Sequence, residues 1–223
     1  MSPRIVDLSV TVTSETKGPP STDVRVELEP KRRGPGFWQV SHMYESLHTG
    51  AHVDSALHCF AGGRSMLETP LERVIGRGAL FDLSQVDESQ PVTASGLEAA
   101  DPGLHAGDIA LLHTGWTDRM YGTFPDYFTR SPYLDLDAAR WLVARRPSAV
   151  VFDFFEEYKA RFADFTSEDF VVHRELLGND IVIVEGATNL GALRGAHSIQ
   201  FFAPFFKLAG TEGAPARLFA LVE

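Results

Sequence analysis

Short apolar runs recur along the chain and predict β-strands. Several alternate apolar and polar residues, as a half-buried strand does, whereas two are more continuously apolar, as an interior strand is. The runs are RIVDLSVTV, DVRVELE, GALFDLS, DIALLHTGW, AVVFDF, DIVIVEG and ARLFALV, of which DIALLHTGW and DIVIVEG are the continuous ones. Helical spacing of apolar residues predicts helices in DLDAARWLVARR, which begins at the capping-type Asp135, and in the shorter TASGLEAAD and EDFVVHRELLG. Helices placed among strands indicate an α/β protein, but they are too few for a regular βαβ alternation.

The composition is that of a soluble globular protein and argues against several classes of partner. The 223 residues, 44% hydrophobic and 22% charged, fit one domain over residues 1–223. The formal net charge of −10 argues against a nucleic-acid or anionic-membrane surface, because either would require a basic field. No apolar run approaches the roughly 20 residues of a membrane-spanning helix. The start of the chain also lacks the features of a signal peptide, so we expect a cytoplasmic protein.

The segment HTGAHVDSALH, residues 48–58, concentrates three histidines and one aspartate in eleven positions. In an extended strand, a rise of about 3.3 Å per residue would place His48 and His52 roughly 13 Å apart. Two imidazoles cannot bind one metal ion across that gap, so a shared site requires the segment to bend or coil, and Gly50 leaves room between the two rings. Imidazole and carboxylate ligands together favour Zn²⁺ or Mn²⁺. The alternative, that these are separate surface or core residues, is disfavoured by their density.

The same segment resembles the signature H-x-G-T-H-x-D-x-P-x-H of the metal-dependent cyclase family, which includes bacterial kynurenine formamidase and isatin hydrolase. The likeness extends over nearly the whole chain. RIVDLSVTV and ALFDLS resemble two of the family's strands, DIALLHTGW its D-x-x-L-x-x-T-G-W run, LDLDAARWL its E/D-A-A-x-W-L helix and APFFKLAGTEGAPARLFAL its closing segment. The resemblance implies the family's fold, an α/β protein with a mixed-sheet, barrel-like, swivelling β core and a few outer helices. It also implies a homodimer or a higher homo-oligomer.

Position by position, the resemblance assigns roles to individual side chains. The metal ligands that it implies are His48, His52, Asp54, His173 and Glu185. Asp54 matches a carboxylate that can bridge two ions, so one or two divalent ions, Zn²⁺ or Mn²⁺, are expected per chain. His173 and Glu185 have the family's twelve-residue spacing; without it they would be interpreted as a helix-surface histidine and a strand-end carboxylate. His58 matches the histidine that donates and accepts the proton.

These roles imply a metal-dependent amidohydrolase that acts on a small molecule. A metal-bound hydroxide would attack a C–N amide bond of the formamide, cyclic imide or lactam type. His58 would take a proton and return it to the departing amine. A cyclase or lactonase in a natural-product pathway is an alternative. A metal-binding protein without catalysis is a second alternative, against which His58 argues, since a passive metal site needs no proton shuttle.

Departures from the family pattern indicate a different substrate pocket. The N-terminal loop TKGPPSTD lacks the substrate-contacting tryptophan of the kynurenine formamidases, and FDFFEEYKARF, residues 152–162, departs from the family's D-T-x-S-x-D run. The resemblance therefore supports hydrolysis as the reaction more strongly than it supports N-formylkynurenine as the substrate. Phe37 and Trp38 are candidates to line a pocket for a flat substrate, and core packing is the alternative for both.

Overall fold

The computed structural model describes residues 3–22 and 24–223, within which the chain forms thirteen strands and five α-helices. The strands are β1 (Arg4–Asp7), β2 (Glu27–Arg33), β3 (Trp38–Tyr44), β4 (His52–Asp54), β5 (Ile75–Asp82), β6 (Pro91–Val92), β7 (Ile109–His113), β8 (Tyr133–Leu134), β9 (Ala149–Phe152), β10 (Val182–Glu185), β11 (Ile199–Phe202), β12 (Gly213–Pro215) and β13 (Phe219–Val222). The helices are α1 (Ala94–Ala100), α2 (Trp116–Met120), α3 (Asp126–Thr129), α4 (Leu136–Arg145) and α5 (Val171–Gly178). None of these helices is long and apolar enough to cross a membrane.

Nine of the strands form one mixed sheet that curls into a half-barrel. Their order is β1-β13-β11-β5-β7-β9-β10-β4-β12. The neighbours β5, β7, β9 and β10 are parallel, and the remaining pairs are antiparallel. The mixed-sheet α/β fold with a few outer helices is therefore confirmed. The two continuously apolar runs form β7 and β10 in the interior of the sheet, as their pattern predicts.

Apolar cores lie on both faces of this sheet. On β7, Leu112 packs into the core beneath α4 and α5, whereas its neighbour Leu111 packs into the core on the opposite face. This alternation follows from the two-residue period of a strand. Both side chains are completely buried, and each such burial stabilises the fold by about 1.5–3 kcal/mol. The result is a rigid central sheet whose β4 and β10 carry part of the histidine and carboxylate set.

The hairpin β2–β3 is separate from the large sheet and has a different environment. Every residue of both strands is exposed, and the two strands pair only with each other among the described residues. Strand β2 begins within the predicted run DVRVELE but continues through Pro30 to Arg33, beyond that run. Pro30 is tolerated there because a two-stranded ribbon has free edges on which a missing N–H is not required.

Candidate metal centre

The turn between His48 and His52 supplies the bend that a shared site requires. Gly50 has φ +65°, and a Cβ at this position would meet Val12 Cγ2 at 2.4 Å. Only glycine satisfies both conditions, because the left-handed conformation and the lack of space each exclude a side chain. The turn brings the rings of His48 and His52 to 5.2 Å between centroids, instead of the roughly 13 Å Cα separation of an extended segment.

Asp54 lies at the centre of the cluster and is completely buried. Its Oδ1 is 2.9 Å from His48 Nδ1 and 3.5 Å from His52 Nε2, and its Oδ2 is 3.6 Å from His173 Nε2. Three imidazoles therefore surround one carboxylate. Both Asp54 oxygens lack a hydrogen bond of good geometry, although buried polar groups are nearly always satisfied.

Strand pairing and helix α5 bring the remaining predicted ligands to this point. In the antiparallel pair β10–β4, Glu185 lies directly opposite His52, which places Glu185 Oε2 2.9 Å from His52 Nε2. His173 projects from the buried face of α5, with Nε2 3.7 Å from Glu185 Oε1. All five residues predicted as metal ligands are thus brought together, including the two that are distant in sequence.

Two glutamates that the sequence reasoning did not assign complete the wall of the cluster. Glu156 and Glu157 follow β9 and are both completely buried. Glu157 accepts hydrogen bonds from the backbone N–H groups at the start of α5 and from His173 Nδ1, at 3.1 Å. Both carboxylate oxygens of Glu156 lack a hydrogen-bond partner. The only sequence signal was that FDFFEEYKARF departs from the family pattern.

His58 lies at the edge of the cluster, in the short 3-10 helix Ala56–His58. Its ring stacks on His48 at 4.2 Å between centroids, and it contacts the rings of Phe170 and His173 at 5.1 and 5.5 Å. Burial lowers the pKa of His58 to about 4, with Asp54 opposing the shift. Its nitrogens also lie close enough to His48 and Asp54 to act as a ligand, so position alone does not distinguish a ligand from a proton carrier.

The electrostatics of the cluster favour positive charge. Burial opposes a charge on His52, but Asp54 and Glu185 outweigh it and raise the pKa of His52 to about 9. Burial likewise opposes ionisation of Glu185, but His52 dominates and holds the pKa of Glu185 at about 2. Burial and the neighbouring Glu185 raise the pKa of Glu156 well above its usual range. The cluster therefore contains more carboxylates than positively charged side chains, and a protonated imidazole or a metal ion would neutralise their negative charge.

The donor set fits a divalent metal ion. Atoms of the cluster that are buried and lack a hydrogen-bond partner are His52 Nε2, Asp54 Oδ1 and Oδ2, Glu156 Oε1 and Oε2, and Glu185 Oε1. Within the described residues, potential ligand atoms form three groups, and the atoms inside each group lie within 4.8 Å of one another. They are His48–Asp54–His58, His52–Asp54–Glu185 and Glu156–His173–Glu185. Nitrogen and carboxylate oxygen without thiolate is the ligand chemistry of Zn²⁺ and Mn²⁺.

An aromatic pocket opens above this cluster. Its aromatic lining residues are Tyr121, Tyr127, Phe128, Phe154, Phe155, Phe165 and Phe170. The N-terminal loop contributes further lining residues between Lys17 and Val24. Phe37 and Trp38, the two aromatic residues predicted to contact substrate, do not line the pocket of the single chain. They lie at the hairpin β2–β3 with exposed fractions of 83% and 50%, and among the described residues the strands of this hairpin pair only with each other.

Comparisons with known proteins show the family to which the chain belongs. Residues 6–156 match the family model described as putative cyclase. A kynurenine formamidase of Maricaulis maris (strain MCS10) is 30% identical over 185 residues, 80% of this chain and 78% of that protein. A kynurenine formamidase of Geobacillus thermodenitrificans (strain NG80-2) is 26% identical over 188 residues, 82% of this chain and 79% of that protein. The crystal structure of an isatin hydrolase bound to the product analogue thioisatinate superimposes with a TM-score of 0.85 at 19% identity, covering 99% of this chain and 93% of that one. The matched residues include the segment 48–58 at the centre of the cluster, and the chain belongs to the cyclase family.

Proposed function

We propose that this protein is a divalent-metal-dependent hydrolase of a C–N amide bond, of the formamide, cyclic imide or lactam type. The observation that carries the proposal is the floor of the aromatic pocket. There, buried imidazoles and carboxylates with unpartnered ligand atoms lie beside a further histidine, His58. The kynurenine formamidases to which the chain is similar support the C–N bond as the target.

One or two ions, Zn²⁺ or Mn²⁺, would be held by the five predicted ligands. They are His48, His52, Asp54, His173 and Glu185. Such an ion, when bound, polarises a carbonyl oxygen and lowers the pKa of a water molecule from 15.7 to about 7. The chain contributes the positions of the ligands through strand pairing and the turn at Gly50.

His58 would move the proton. A pKa of about 4 keeps its imidazole neutral at pH 7, so the ring can accept a proton from the attacking water. The nitrogen that leaves an amide must be protonated as the C–N bond breaks, and the protonated His58 would supply that proton. Stacking on His48 and the contact with Phe170 hold the ring at the edge of the cluster, where the pocket opens.

The pocket favours a flat, aromatic substrate. Phe154 and Phe155 line it beside Phe128, with ring centroids of Phe128 and Phe155 5.2 Å apart. Aromatic walls of this kind bind rings through burial and edge-to-face contacts. A carbonyl attached to such a ring would reach the cluster at the pocket floor.

Hydrolysis of defined substrates tests the proposal. We expect metal-loaded protein to release formate from N-formylanilides or to open isatin-like imides, and a chelator to abolish both activities. Lactone opening without amide cleavage would favour the cyclase or lactonase alternative. A protein that binds metal and converts none of these compounds would be a metal-binding protein without this catalysis.

We also propose that the protein acts as a homodimer. The hairpin β2–β3 supports this, since both of its faces are exposed in one chain although an isolated two-stranded hairpin is marginally stable at best. A second copy would cover the apolar side chains of the hairpin, including Trp38.

A further inference from the structure

Glu156 has no role in the five-ligand set, although its position is unusual for a carboxylate. The side chain is completely buried, and neither carboxylate oxygen has a hydrogen-bond partner. A buried carboxyl without a hydrogen-bond partner is unfavourable in either protonation state, because its polar atoms lose water and gain no replacement. A group that satisfies Glu156 is therefore expected at this position.

The neighbours of Glu156 are metal-binding groups and not basic side chains. His173 Nδ1 lies 3.5 Å from Glu156 Oε1, and within the described residues this ring is the only basic group in ion-pair contact with Glu156. The same nitrogen is closer to Glu157 Oε2, at 3.1 Å, and Glu157 orients it. Glu156, His173 and Glu185 can each offer a ligand atom within 4.8 Å of the other two.

The ligand atoms of the cluster fall into groups that can hold more than one ion. Among the described residues, Glu156, His173 and Glu185 form one such group, and His52, Asp54 and Glu185 form another. The carboxylates of both groups have side chains no more than 17% exposed. Glu157 belongs to neither group, and its oxygens accept hydrogen bonds from the start of α5 and from His173.

We propose that Glu156 is a further metal ligand, which together with His173 and Glu185 forms a second cation site beside the one centred on Asp54. The inference rests on the proposed function and assigns a different ligand set to each ion. Two carboxylates and one imidazole form an oxygen-rich set that suits Mn²⁺, whereas the imidazole-rich set of His48, His52 and Asp54 suits Zn²⁺. The second site is therefore expected to be the one that prefers Mn²⁺.

Mn²⁺ binding to the full chain tests this assignment without using activity. The protein is dialysed against chelator and titrated with MnCl₂, and free Mn²⁺ is measured by electron paramagnetic resonance. We expect the wild type to bind two Mn²⁺ per chain. Glu156→Gln should retain the first ion and bind the second at least 10–100-fold more weakly, since loss of an outer-shell partner alone has an effect of that size.

Two variants separate ligation from charge. Glu45→Gln removes the same charge from a half-buried carboxyl that is influenced by His52 but belongs to none of the three ligand groups, so both ions should bind as in the wild type. Glu156→Asp retains the charge but withdraws the carboxylate by one methylene group, and it should also weaken the second ion. Equal weakening in Glu45→Gln and Glu156→Gln would show a general electrostatic effect and overturn the assignment.

The remaining outcomes also decide the matter. Two Mn²⁺ bound to Glu156→Gln with wild-type affinity would show that Glu156 is a protonated carboxyl that bonds to Glu185, because glutamine can make the same hydrogen bond. A wild type that binds one ion would also contradict the proposal. If Glu156→Gln does not fold, Glu156→Asp decides, and binding of both ions by that variant with wild-type affinity would overturn the assignment. Two ions bound without amide turnover would contradict the proposed function and leave this assignment standing. Amide turnover by a protein that binds a single Mn²⁺ would support the proposed function and contradict this assignment.

Discussion

The imidazole rings of the cluster differ in whether one of their nitrogens is held by a hydrogen bond. His52 Nδ1 donates to the backbone carbonyl of Gly50 at 2.9 Å, and His173 Nδ1 donates to Glu157. In both rings this fixes the tautomer that leaves Nε2 free as a ligand atom, the usual arrangement of metal-binding histidines. His58 has no such anchor among the described hydrogen bonds, and its ring is held by stacking on His48. This difference supports a ligand role for His52 and His173 and a proton-carrying role for His58.

The roles of Asp54 and His58 can be separated by removing each side chain. We expect His58→Ala to keep its metal and its fold while turnover falls by about 10²–10⁴-fold, the contribution of a positioned acid–base group. Asp54→Ala should lose metal, because Asp54 lies within 3.6 Å of three imidazoles and is the central carboxylate. Bound metal and turnover are measured side by side on the two variants.

A comparison of substrates strengthens that experiment. An ester or lactone has a better leaving group than an amide and needs less protonation, so its hydrolysis should suffer less in His58→Ala. Metal loss from His58→Ala equal to that from Asp54→Ala would instead make His58 a ligand, in keeping with its position near His48 and Asp54.

The sequence predicts single residues of the site to different extents. The segment 48–58 shows its chemistry through the density of histidine around Gly50, and the structure brings these groups together. His173 and Glu185 were found only through a family spacing, since the contact between α5 and β10 is tertiary. Glu156 and Glu157 were missed because adjacent glutamates are ordinarily solvated. No local pattern reveals that the chain after β9 turns them into the interior.

At the scale of elements, helix α5 is held to the site through its first turn. Glu157 accepts hydrogen bonds from the N–H groups of Val171, Val172 and His173, and a negative charge at a helix N-terminus is favourable. The same carboxylate orients the ring of His173. One buried side chain therefore caps the helix and positions a predicted ligand.

Removal of this carboxylate should affect both stability and metal binding. We expect Glu157→Ala to lower the free energy of unfolding by at least about 1.5–3 kcal/mol, the contribution of one hydrogen bond to a charged group. Metal affinity should fall by about 10–100-fold, as it does when an outer-shell partner is lost. Urea denaturation and metal titration measure the two effects.

A matched control is available on the neighbouring helix α4. Asp135 caps α4 by accepting from the N–H of Ala138 and is not among the residues that line the pocket. Asp135→Ala should lower stability by about 1 kcal/mol and leave metal affinity unchanged. If Glu157→Ala also leaves metal affinity unchanged, Glu157 is a helix cap and does not position His173.

Elements were predicted where local pattern and tertiary environment agree. The capping aspartate and apolar spacing of α4 predict its start correctly. The short helices α2 and α3 were not predicted, since they have five and four residues, too few for an apolar stripe to repeat. The run DVRVELE predicts only the first part of strand β2, because the rest of ELEPKRR is exposed on both faces and has no alternating apolar pattern.

The N-terminal loop sets a prediction about substrate. Its lining residues include Lys17, Pro19 and Val24, and the sequence TKGPPSTD contains no tryptophan. We therefore expect N-formylkynurenine to be a poor substrate compared with formanilides or imides that lack its amino-acid chain. The measurement is kcat/KM for each compound with metal-loaded protein. Turnover of N-formylkynurenine as efficient as by a dedicated formamidase would show that the pocket wall does not discriminate.

At the scale of the whole molecule, the large sheet and the hairpin β2–β3 differ in how they are stabilised. The sheet has apolar cores on both faces. The hairpin has exposed apolar side chains, among them Leu28, Trp38, Met43 and Tyr44 at 46–65% exposure. Arg33 lies over the ring of Trp38 at 5.3 Å, which covers little of it. A ribbon of this kind lacks the apolar burial that offsets the conformational entropy of ordering it, and a partner surface would provide that burial.

The expected partner surface is a second copy of the chain, which makes the oligomeric state a test. Light scattering should give twice the chain mass of 24.5 kDa. Trp38 and Val40 lie on one face of β3, because strand side chains alternate. The double variant Trp38→Asp with Val40→Asp should yield monomers, since buried charges at an interface core are unfavourable. Gln39→Asp adds a charge to the same strand at a polar position opposite Arg32 and should leave the dimer intact.

Metal content should not change in either variant, because the hairpin contributes no residue to the pocket of its own chain. A wild type that is monomeric at every concentration would contradict the expectation, and a dimer that survives the double substitution would place the interface elsewhere.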